Sequence, residues 1–252
     1  MSLAAHWEKH ADSWLDWTRT DGHDVHPWFA PVFCDLLPAA DGTTLEVGCG
    51  EGRVCRDLRA RGFDPIGVDA SHTLVEHAAA ADPDGDYRVA DAMDLPFADA
   101  SFDLVVAYNA LMDFDDMPGA VAQIARVLRP GGHLAACVTH PFMNAGRFLD
   151  EHPDAGYLVE GSYLDSRPFR ETFTVDHLTM EFAGNMHPLS AYTDALEDNG
   201  LLVEALREPK LPQGRAAQRP GSERWRRIPM FLMFRALKPS HADDVAPTVV
   251  CT

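Results

Sequence analysis

The chain has 252 residues, which is enough for one large α/β domain or two small ones with an ample core. Its 39 acidic residues against 21 lysines and arginines give a formal charge of −18, so a phosphate backbone would repel it and we expect no nucleic-acid partner. The five cysteines form no CxxC pair, no apolar run approaches membrane-spanning length, and the N-terminus lacks a basic region followed by an apolar core, so we expect a reduced, cytoplasmic protein without a membrane partner.

Residues 1–40 are predicted to form a helical cap ahead of the main domain. Trp7, Trp14 and Trp17 are spaced so that they fall on one stripe of a helix. An aromatic stripe of this kind is typical of a helix that packs against the rest of the protein.

Between residues 43 and 140, short β-branched runs alternate with helix-like stretches. Near-continuous apolar strands that alternate with helices are typical of a parallel sheet covered on both faces. After a helix at 188–200, two more strands are predicted at 201–209 and 228–238, which brings the expected number of strands to seven.

The alternation stops between strand five and the helix at 188–200. We therefore interpret 41–238 as one domain with a lid insertion at 141–187, in which the period-two run at 171–182 predicts a strand or hairpin. The segment 210–227 is a basic loop, either solvated or a flap that meets an anionic substrate group. The tail at 239–252 shows no periodicity and is predicted to be disordered.

The stretch TTLEVGCGEGR, at residues 43–53, is a strand followed by a glycine-rich turn. A dinucleotide fingerprint would need glycine at position 53, where this chain has Arg53. Glu46 would also repel a pyrophosphate group. The ammonium and sulfonium groups of S-adenosylmethionine, in contrast, would be attracted by Glu46, so the turn favours this cofactor.

Two further acids follow the next two strands. Asp69, in the segment VDAS, is placed to accept hydrogen bonds from ribose hydroxyls, and Asp91, in VADAMDLPF, from the adenine amino group, with the amide of Ala92 beside it. Taken singly, Asp69 could be a helix N-cap and Asp91 a turn residue. Three acids at three successive strand ends favour a cofactor site.

The motifs LEVGCGEGR, GVDAS, DAMDLPFADASFDLVVAYNAL and ARVLRPGGHL resemble, in order and spacing, the class I S-adenosylmethionine-dependent methyltransferases, specifically the small-molecule methyltransferase type 11 group. The resemblance covers residues 43–140. It implies a doubly wound, Rossmann-like α/β fold with a seven-stranded sheet in the order 3-2-1-4-5-7-6, the last strand antiparallel. It also implies S-adenosyl-L-methionine as the cofactor, with the acid of the first strand near the methionine amine.

The same resemblance indicates which residues line the cofactor. The N-terminal helix of relatives often closes over the cofactor, which adds two candidates from the helical cap. The implied cofactor-binding residues are Trp14, Arg19, Glu46, Gly48, Cys49, Gly50, Asp69, Ala70, Asp91, Ala92 and Asn109.

Residues outside these motifs are expected to bind the acceptor. His140 and His187 border the lid insertion and are the candidate catalytic residues, although a lone histidine is more often a structural group. The candidate substrate-binding residues are His23, Tyr108, Met112, Phe142 and Tyr163. The sequence has no metal-ligand cluster like that of catechol-type methyltransferases, so we predict no metal.

The expected activity is in-line methyl transfer to an oxygen, nitrogen or activated ring carbon of a small aromatic or heteroaromatic metabolite, as in specialised metabolism. The segment AYNALM differs from the [DNS]PP[YFW] motif of enzymes that methylate amino groups of nucleic-acid bases. A non-catalytic S-adenosylmethionine-binding regulatory protein and, less favoured, an NAD-dependent oxidoreductase are the alternatives. The protein is expected to be a monomer or a homodimer.

Overall fold

The computed structural model describes residues 1–20, 23–216 and 221–240. Nearly all of the tail predicted to be disordered, and Arg219 of the basic loop, lie outside the described residues. None of the helices in the described part of the chain is long and apolar enough to cross a membrane.

The strands of the described chain lie between residues 44 and 237. Their bounds are β1 Thr44–Val47, β2 Pro65–Asp69, β3 Asp86–Val89, β4 Phe102–Tyr108, β5 Leu128–Thr139, β6 Gly146–Phe148, β7 Tyr157–Val159, β8 Arg167–Val175, β9 Leu178–Met186, β10 Leu202–Arg207 and β11 Phe231–Leu237. Seven of them make one sheet in the order β10-β11-β5-β4-β1-β2-β3. Strand β11 runs antiparallel to both of its neighbours, whereas β1 to β5 pair in parallel. The predicted order and the antiparallel last strand are confirmed.

The helices lie between and around these strands. Their bounds are α1 Leu3–Lys9, α2 Ala11–Arg19, α3 His26–Cys34, α4 Arg53–Arg59, α5 His72–Ala81, α6 Met117–Val127, α7 Pro141–Asn144, α8 Leu189–Asp198 and α9 Gln213–Ala216. Side-chain caps set several of their starts: the Ser71 hydroxyl accepts from the amide of Leu74 at 3.2 Å, and the Asp116 carboxylate accepts from Gly119 at 3.0 Å.

Two apolar clusters cover the two faces of the sheet. In β4, Val105 belongs to the cluster with Ile124 of α6, and the next residue, Val106, belongs to the cluster with Phe29 of α3 and Leu58 of α4. Successive side chains of a strand point to opposite faces, so a continuous apolar run is the pattern that a doubly covered sheet requires.

Two small antiparallel hairpins occupy the segment predicted to be a lid insertion. Strand β6 pairs with β7, and β8 pairs with β9 around a turn in which Asp176 has a positive φ of 53°. The longer hairpin, β8–β9, contains the run at 171–182 that the sequence predicts to be a strand or hairpin.

The N-terminal helices pack against this longer hairpin. The ring of Phe182 in β9 makes edge-to-face contacts with Trp14 and Trp17 of α2, with ring centroids 6.2 and 5.5 Å apart. We call α1, α2 and the hairpin β8–β9 the roof, because their side chains lie over the carboxyl ends of β1, β2 and β4.

Candidate functional site

A cavity of about 330 Å³ lies under the roof, where β1, β2 and β4 end. Its walls include the turn after β1, Asp69 at the end of β2, and Tyr108 at the end of β4. The carboxyl ends of parallel strands are where open α/β sheets bind their ligands. This position makes the cavity the candidate active site.

The glycine turn after β1 forms the base of the cavity. Gly48, Gly50 and Gly52 have φ values of 72°, 54° and 81°, a region in which side chains other than glycine are strained. A Cβ at Gly48 would also lie 2.5 Å from the side chain of Ala110. Glycine at these positions therefore lets the turn bend tightly beside the end of β4.

Glu46 of β1 is a buried acid at this base, with only 1% of its surface exposed. Its Oε2 atom makes no hydrogen bond with any residue in the described ranges. Burial raises the pKa of Glu46 to about 8, while a hydrogen bond from Cys55 and the charge of Arg53 act in the opposite direction. A cation placed beside this carboxyl group would favour its ionised form.

Asp69 lines the cavity and also holds the glycine turn in place. Its carboxylate accepts hydrogen bonds from the amides of Gly50 and Ser71, both at 2.8 Å. Burial nevertheless raises its pKa above the usual range. Asp69 therefore has a structural task that the sequence does not reveal, in addition to its place in the cavity wall.

Asp91 follows β3 and also lines the cavity. Its Oδ1 atom accepts from the amide of Met93 at 2.9 Å, which makes it a turn residue as well. Both readings of Asp91 that the sequence leaves open therefore fit its place in the structure.

Asp113 is a third acid in the cavity wall with a raised pKa, and sequence reasoning missed it. Burial raises the pKa of its carboxyl group well above the usual range, and the nearby negative charge of Asp69 adds to the effect. Gly184 of β9 passes so close that a Cβ there would lie 2.6 Å from Asp113 Oδ1. The only sequence signal for Asp113 is its position soon after β4. The acidic residues that follow it are otherwise typical of an exposed surface.

The roof is fastened to the domain by polar contacts. Glu8 of α1 accepts hydrogen bonds from the hydroxyl groups of Ser71, at 2.5 Å, and Thr73, at 2.8 Å, at the start of α5. Arg53, the residue that breaks the dinucleotide pattern, forms an ion pair with Asp24, and its guanidinium lies 5.6 Å from the ring centroid of Trp14.

Two histidines with carboxylate partners stand at the cavity wall. His23 Nε2 bonds to Asp176 Oδ2 at 3.1 Å, and His26 Nε2 bonds to Asp57 Oδ2 at 2.9 Å. Because Asp176 lies in the turn of the hairpin β8–β9, the first pair joins the roof to the segment before α3. The second pair joins α3 to α4.

Most of the predicted site residues line the cavity. These residues are Trp14, His23, Glu46, Gly48, Cys49, Gly50, Asp69, Ala70, Asp91, Ala92, Tyr108, Asn109 and Met112.

The two candidate catalytic histidines are placed elsewhere, and neither is among the described residues that line the cavity. His140 uses both ring nitrogens in structural hydrogen bonds: Nδ1 accepts from the amide of Phe142 at 3.0 Å, and Nε2 bonds to Glu208 Oε1 at 2.9 Å. His187 bonds through Nδ1 to the hydroxyl of Ser166 at 2.9 Å. The candidate catalytic residues His140 and His187 therefore do not line this cavity in the described structure.

Three other predicted residues also lie away from the cavity walls formed by the described chain. Tyr163 lies beside His187 and accepts through its hydroxyl from the amide of Leu189 at 3.1 Å, at the start of α8. Phe142 is 41% exposed and packs against Tyr157. Arg19 is exposed at the last position of α2.

The basic loop is partly tied to the lid segment. Arg227 donates to the carbonyl groups of Pro153 and Ala155 at 3.1 and 2.8 Å, and Arg226 donates to Glu223 at 2.8 Å. As far as the structure describes this loop, its arginines are not part of the cavity wall.

Comparisons with known proteins agree with this geometry. Residues 45–136 match the family described as a methyltransferase domain. The chain is 42% identical over 107 residues to O-methyltransferase resE of Aspergillus sclerotiorum, covering 40% of each chain. It is 33% identical over 146 residues to malonyl-[acyl-carrier protein] O-methyltransferase of Enterobacter lignolyticus, covering 55% of this chain and 58% of the relative. The chain thus spans about half the length of these relatives.

The fold is shared with solved structures. An S-adenosylmethionine-dependent methyltransferase from Mesorhizobium loti matches 83% of this chain and 97% of its own, with a TM-score of 0.69 and 24% identity. Residues 45–136 therefore match a methyltransferase domain, within a chain that shares the fold of a solved S-adenosylmethionine-dependent methyltransferase.

Proposed function

We propose that this protein transfers the methyl group of S-adenosylmethionine to an oxygen atom of a small acceptor, in specialised metabolism. The observation that carries the proposal is the set of three acids, Glu46, Asp69 and Asp113, around one cavity, each with a pKa that burial raises. Carboxyl groups buried without cations are costly, so their presence together indicates a cationic ligand.

The residues present fit this cofactor. The Glu46 Oε2 atom, which accepts no hydrogen bond within the described chain, is suited to the ammonium group. Asp69 keeps acceptor capacity for ribose hydroxyls beyond the two amides that it binds, since a carboxylate offers about four lone-pair sites. Asp91, at the end of β3, is suited to the adenine amino group.

When bound, S-adenosylmethionine supplies a methyl group on a positively charged sulfur atom, which is already electrophilic. The protein then has to align the acceptor, exclude water and take up the acceptor proton. The roof excludes water through the large rings of Trp7, Trp14, Trp17, Phe169 and Phe182, all of which line the cavity. Asp113, whose raised pKa makes it a stronger base than an exposed carboxylate, is our candidate for the proton acceptor.

The acceptor is proposed to be small and largely apolar. Tyr108, Phe231 and Met112 add apolar surface to the cavity wall, and His23 adds a polar group to it. This composition suits an aromatic or heteroaromatic acceptor with a hydroxyl group. The printed names of both curated relatives, which are O-methyltransferases, support oxygen over nitrogen or carbon.

An NAD-type ligand is disfavoured by the same cavity. Its pyrophosphate would meet Glu46 and Glu51 at the glycine turn, while Arg53, a cation in the cavity wall, is already paired with Asp24. A non-catalytic binding protein would have no need for a carboxyl group with a raised pKa, such as that of Asp113, in the wall of a largely apolar cavity.

The proposal is tested by incubating the protein with S-adenosylmethionine that carries an isotope-labelled methyl group and a panel of phenols, hydroxy-quinolines, aliphatic alcohols and amines. We expect label on the oxygen of at least one hydroxylated aromatic compound, identified by mass spectrometry of the product. Transfer confined to amines, or binding of the cofactor without transfer to any compound, would contradict the proposal.

A further inference from the structure

Two histidines and a glutamate meet where the N-terminal helices touch the hairpin β8–β9. His6 lies in α1, His10 lies between α1 and α2, and Glu181 lies in β9. One ligand atom from each residue can be chosen so that all three atoms lie within 4.8 Å of one another. His6 is fully buried, and the other two are partly buried.

The hydrogen bonding of His6 determines which of its nitrogens is available. Its Nε2 atom lies 3.1 Å from the backbone carbonyl oxygen of Glu181. A carbonyl oxygen only accepts, so Nε2 carries the proton and the neutral ring has its lone pair on Nδ1. Nδ1 is buried, has no hydrogen-bond partner in the described ranges, and lies 3.5 Å from Glu181 Oε1.

His10 presents a second such nitrogen to the same oxygen atom. Its Nε2 is buried, makes no hydrogen bond to any described residue, and lies 3.6 Å from Glu181 Oε1. Both separations are too long for good hydrogen bonds. In a tetrahedral zinc site with Zn–N distances of about 2.0–2.1 Å, neighbouring ligand atoms lie about 3.3 Å apart. The two nitrogen–oxygen distances here are close to that spacing.

We propose that His6, His10 and Glu181 bind a zinc ion. Two imidazole nitrogens and one carboxylate oxygen are a donor set that suits Zn²⁺, with a water molecule in the fourth position. Magnesium and calcium prefer sites built from oxygen atoms. The bond from His6 Nε2–H to the carbonyl of Glu181 is the kind of outer contact that fixes a ligating ring in the required tautomer and orientation.

One cation already competes for the carboxylate. Arg170 of β8 donates to Glu181 Oε1 at 3.1 Å. Its side chain is 47% exposed and is therefore able to turn towards solvent when a metal ion takes the oxygen. Removing Arg170 is expected to raise the affinity for zinc.

The position of the site gives the ion a structural role. Its ligands come from the N-terminal helices on one side and from β9 on the other, which are the two halves of the roof. Zinc would fasten these two halves of the roof together above the cavity. Its three ligands are distant in sequence from the glycine turn. The site does not depend on the proposed methyl transfer, since none of its three ligands lines the cavity within the described chain.

The test is titration of protein without a polyhistidine tag with Zn²⁺, followed by calorimetry and by elemental analysis after gel filtration. We expect one zinc ion per chain, a higher melting temperature with zinc, and no such effect of Mg²⁺. His10→Gln and Glu181→Gln change partly exposed ligands, so these variants should fold; each is expected to lose stoichiometric binding. Arg170→Ala is expected to bind zinc more tightly.

The matched control is His72→Ala. His72 and Glu76 form an exposed pair with a similar nitrogen–oxygen distance of 3.6 Å, so this change removes a comparable surface group and should leave zinc binding intact. The proposal is overturned if the unaltered protein retains no zinc, or if the folded His10→Gln and Glu181→Gln variants still bind one ion. Circular dichroism of each variant establishes that it is folded.

Discussion

At the residue scale, the cavity is distinguished by its carboxyl groups. Glu46, Asp69 and Asp113 come from three separate parts of the chain, and burial raises the pKa of each. A site with three such groups gains binding energy from a cationic ligand, because the ligand's charge offsets the cost of ionising acids in an apolar surrounding. Each acid can be tested separately.

Glu46→Gln is expected to weaken binding of S-adenosylmethionine by about 10- to 100-fold, the range for a lost hydrogen bond to a charged group. The amide keeps the shape of the side chain and removes its charge. The loss should be largest above pH 8, where Glu46 of the unaltered protein is ionised even without ligand. Calorimetric titration measures the affinity for S-adenosylmethionine, and Glu76→Gln, which changes an exposed side chain, is the control. Equal affinities for the variant and the unaltered protein would mean that Glu46 does not contact the cation.

Asp113→Asn is expected to reduce kcat by a larger factor than it weakens binding of S-adenosylmethionine. A carboxyl group with a raised pKa accepts a proton only after it ionises, so kcat of the unaltered enzyme should rise with pH through that pKa. The asparagine variant should lack this rising limb. Steady-state measurements of kcat across the pH range test this prediction. If kcat of the variant still rose with pH as in the unaltered enzyme, Asp113 would be excluded as the proton acceptor.

His140→Ala is expected to lower the melting temperature and to leave kcat nearly unchanged. Both ring nitrogens of His140 serve structural bonds, to Phe142 and to Glu208. Thermal unfolding and steady-state rates on the same preparation separate the two effects. A stable variant with a large loss of kcat would return His140 to the candidate catalytic residues.

The places of Glu46, Asp69 and Asp91 in the cavity wall were predictable, because each lies at or just after the end of a recognisable strand. The roles of the histidines were not predictable, because their hydrogen-bond partners are remote in sequence. His140 is paired with a residue 68 positions away, His23 with one 153 positions away, and His6 with one 175 positions away. Periodicity identifies which side of an element is buried, but it does not identify the partner.

At the scale of elements, the roof depends on a few polar anchors. Glu8 holds α1 to the start of α5 through Ser71 and Thr73. The hydrogen bond from Ser71, followed by those from Thr73, lowers the pKa of Glu8, so the anchor is present above the ordinary pKa of a glutamate and is lost as the pH falls through the lowered value.

Glu8→Gln is therefore expected to loosen α1. Amide protons of α1 should exchange faster with deuterium, and S-adenosylmethionine should dissociate faster, because the roof covers the cofactor cavity. Hydrogen–deuterium exchange of the variant and of Glu76→Gln, at matched pH, measures the first effect. Unaltered exchange in α1 would show that the aromatic contacts of the roof hold it without Glu8.

The alternation of strands and helices predicted a parallel sheet covered on both faces, and the family resemblance implied the strand order and the antiparallel last strand, which is β11. The roof was predictable only in part. Alternating residues indicated a hairpin near 171–182, and the tryptophan spacing indicated a packed helix, but neither pattern shows that Phe182 meets Trp14 and Trp17. The proposed zinc ligands are not predictable from the sequence for the same reason, because Glu181 lies in β9, far along the chain from His6 and His10.

At the scale of the whole molecule, the buried acids link stability to pH and to the ligand. An acid whose folded-state pKa is raised binds more protons when folded than when unfolded, so its contribution to stability falls as the pH rises between the two values. For Glu46 this window runs from the ordinary range of a glutamate to about 8. Asp69 and Asp113 act in the same direction.

The rise in melting temperature caused by S-adenosylmethionine is therefore expected to increase with pH across this window. The ligand's positive charges stabilise the ionised carboxyl groups, and ligand binding adds to stability by mass action. Thermal unfolding with and without ligand, at a series of pH values, provides the measurement, and Glu46→Gln should flatten the trend. A shift that does not depend on pH would mean that these acids do not respond to the ligand.

The most direct test of the central claim, that the cavity is built for a cationic sulfonium cofactor, is calorimetric titration of the protein with S-adenosylmethionine and, separately, with NADH. We predict saturable binding of one S-adenosylmethionine per chain and no binding of NADH. The variant Glu46→Gln, which lacks the charge, should bind S-adenosylmethionine much more weakly. Saturable binding of NADH without binding of S-adenosylmethionine would contradict the claim.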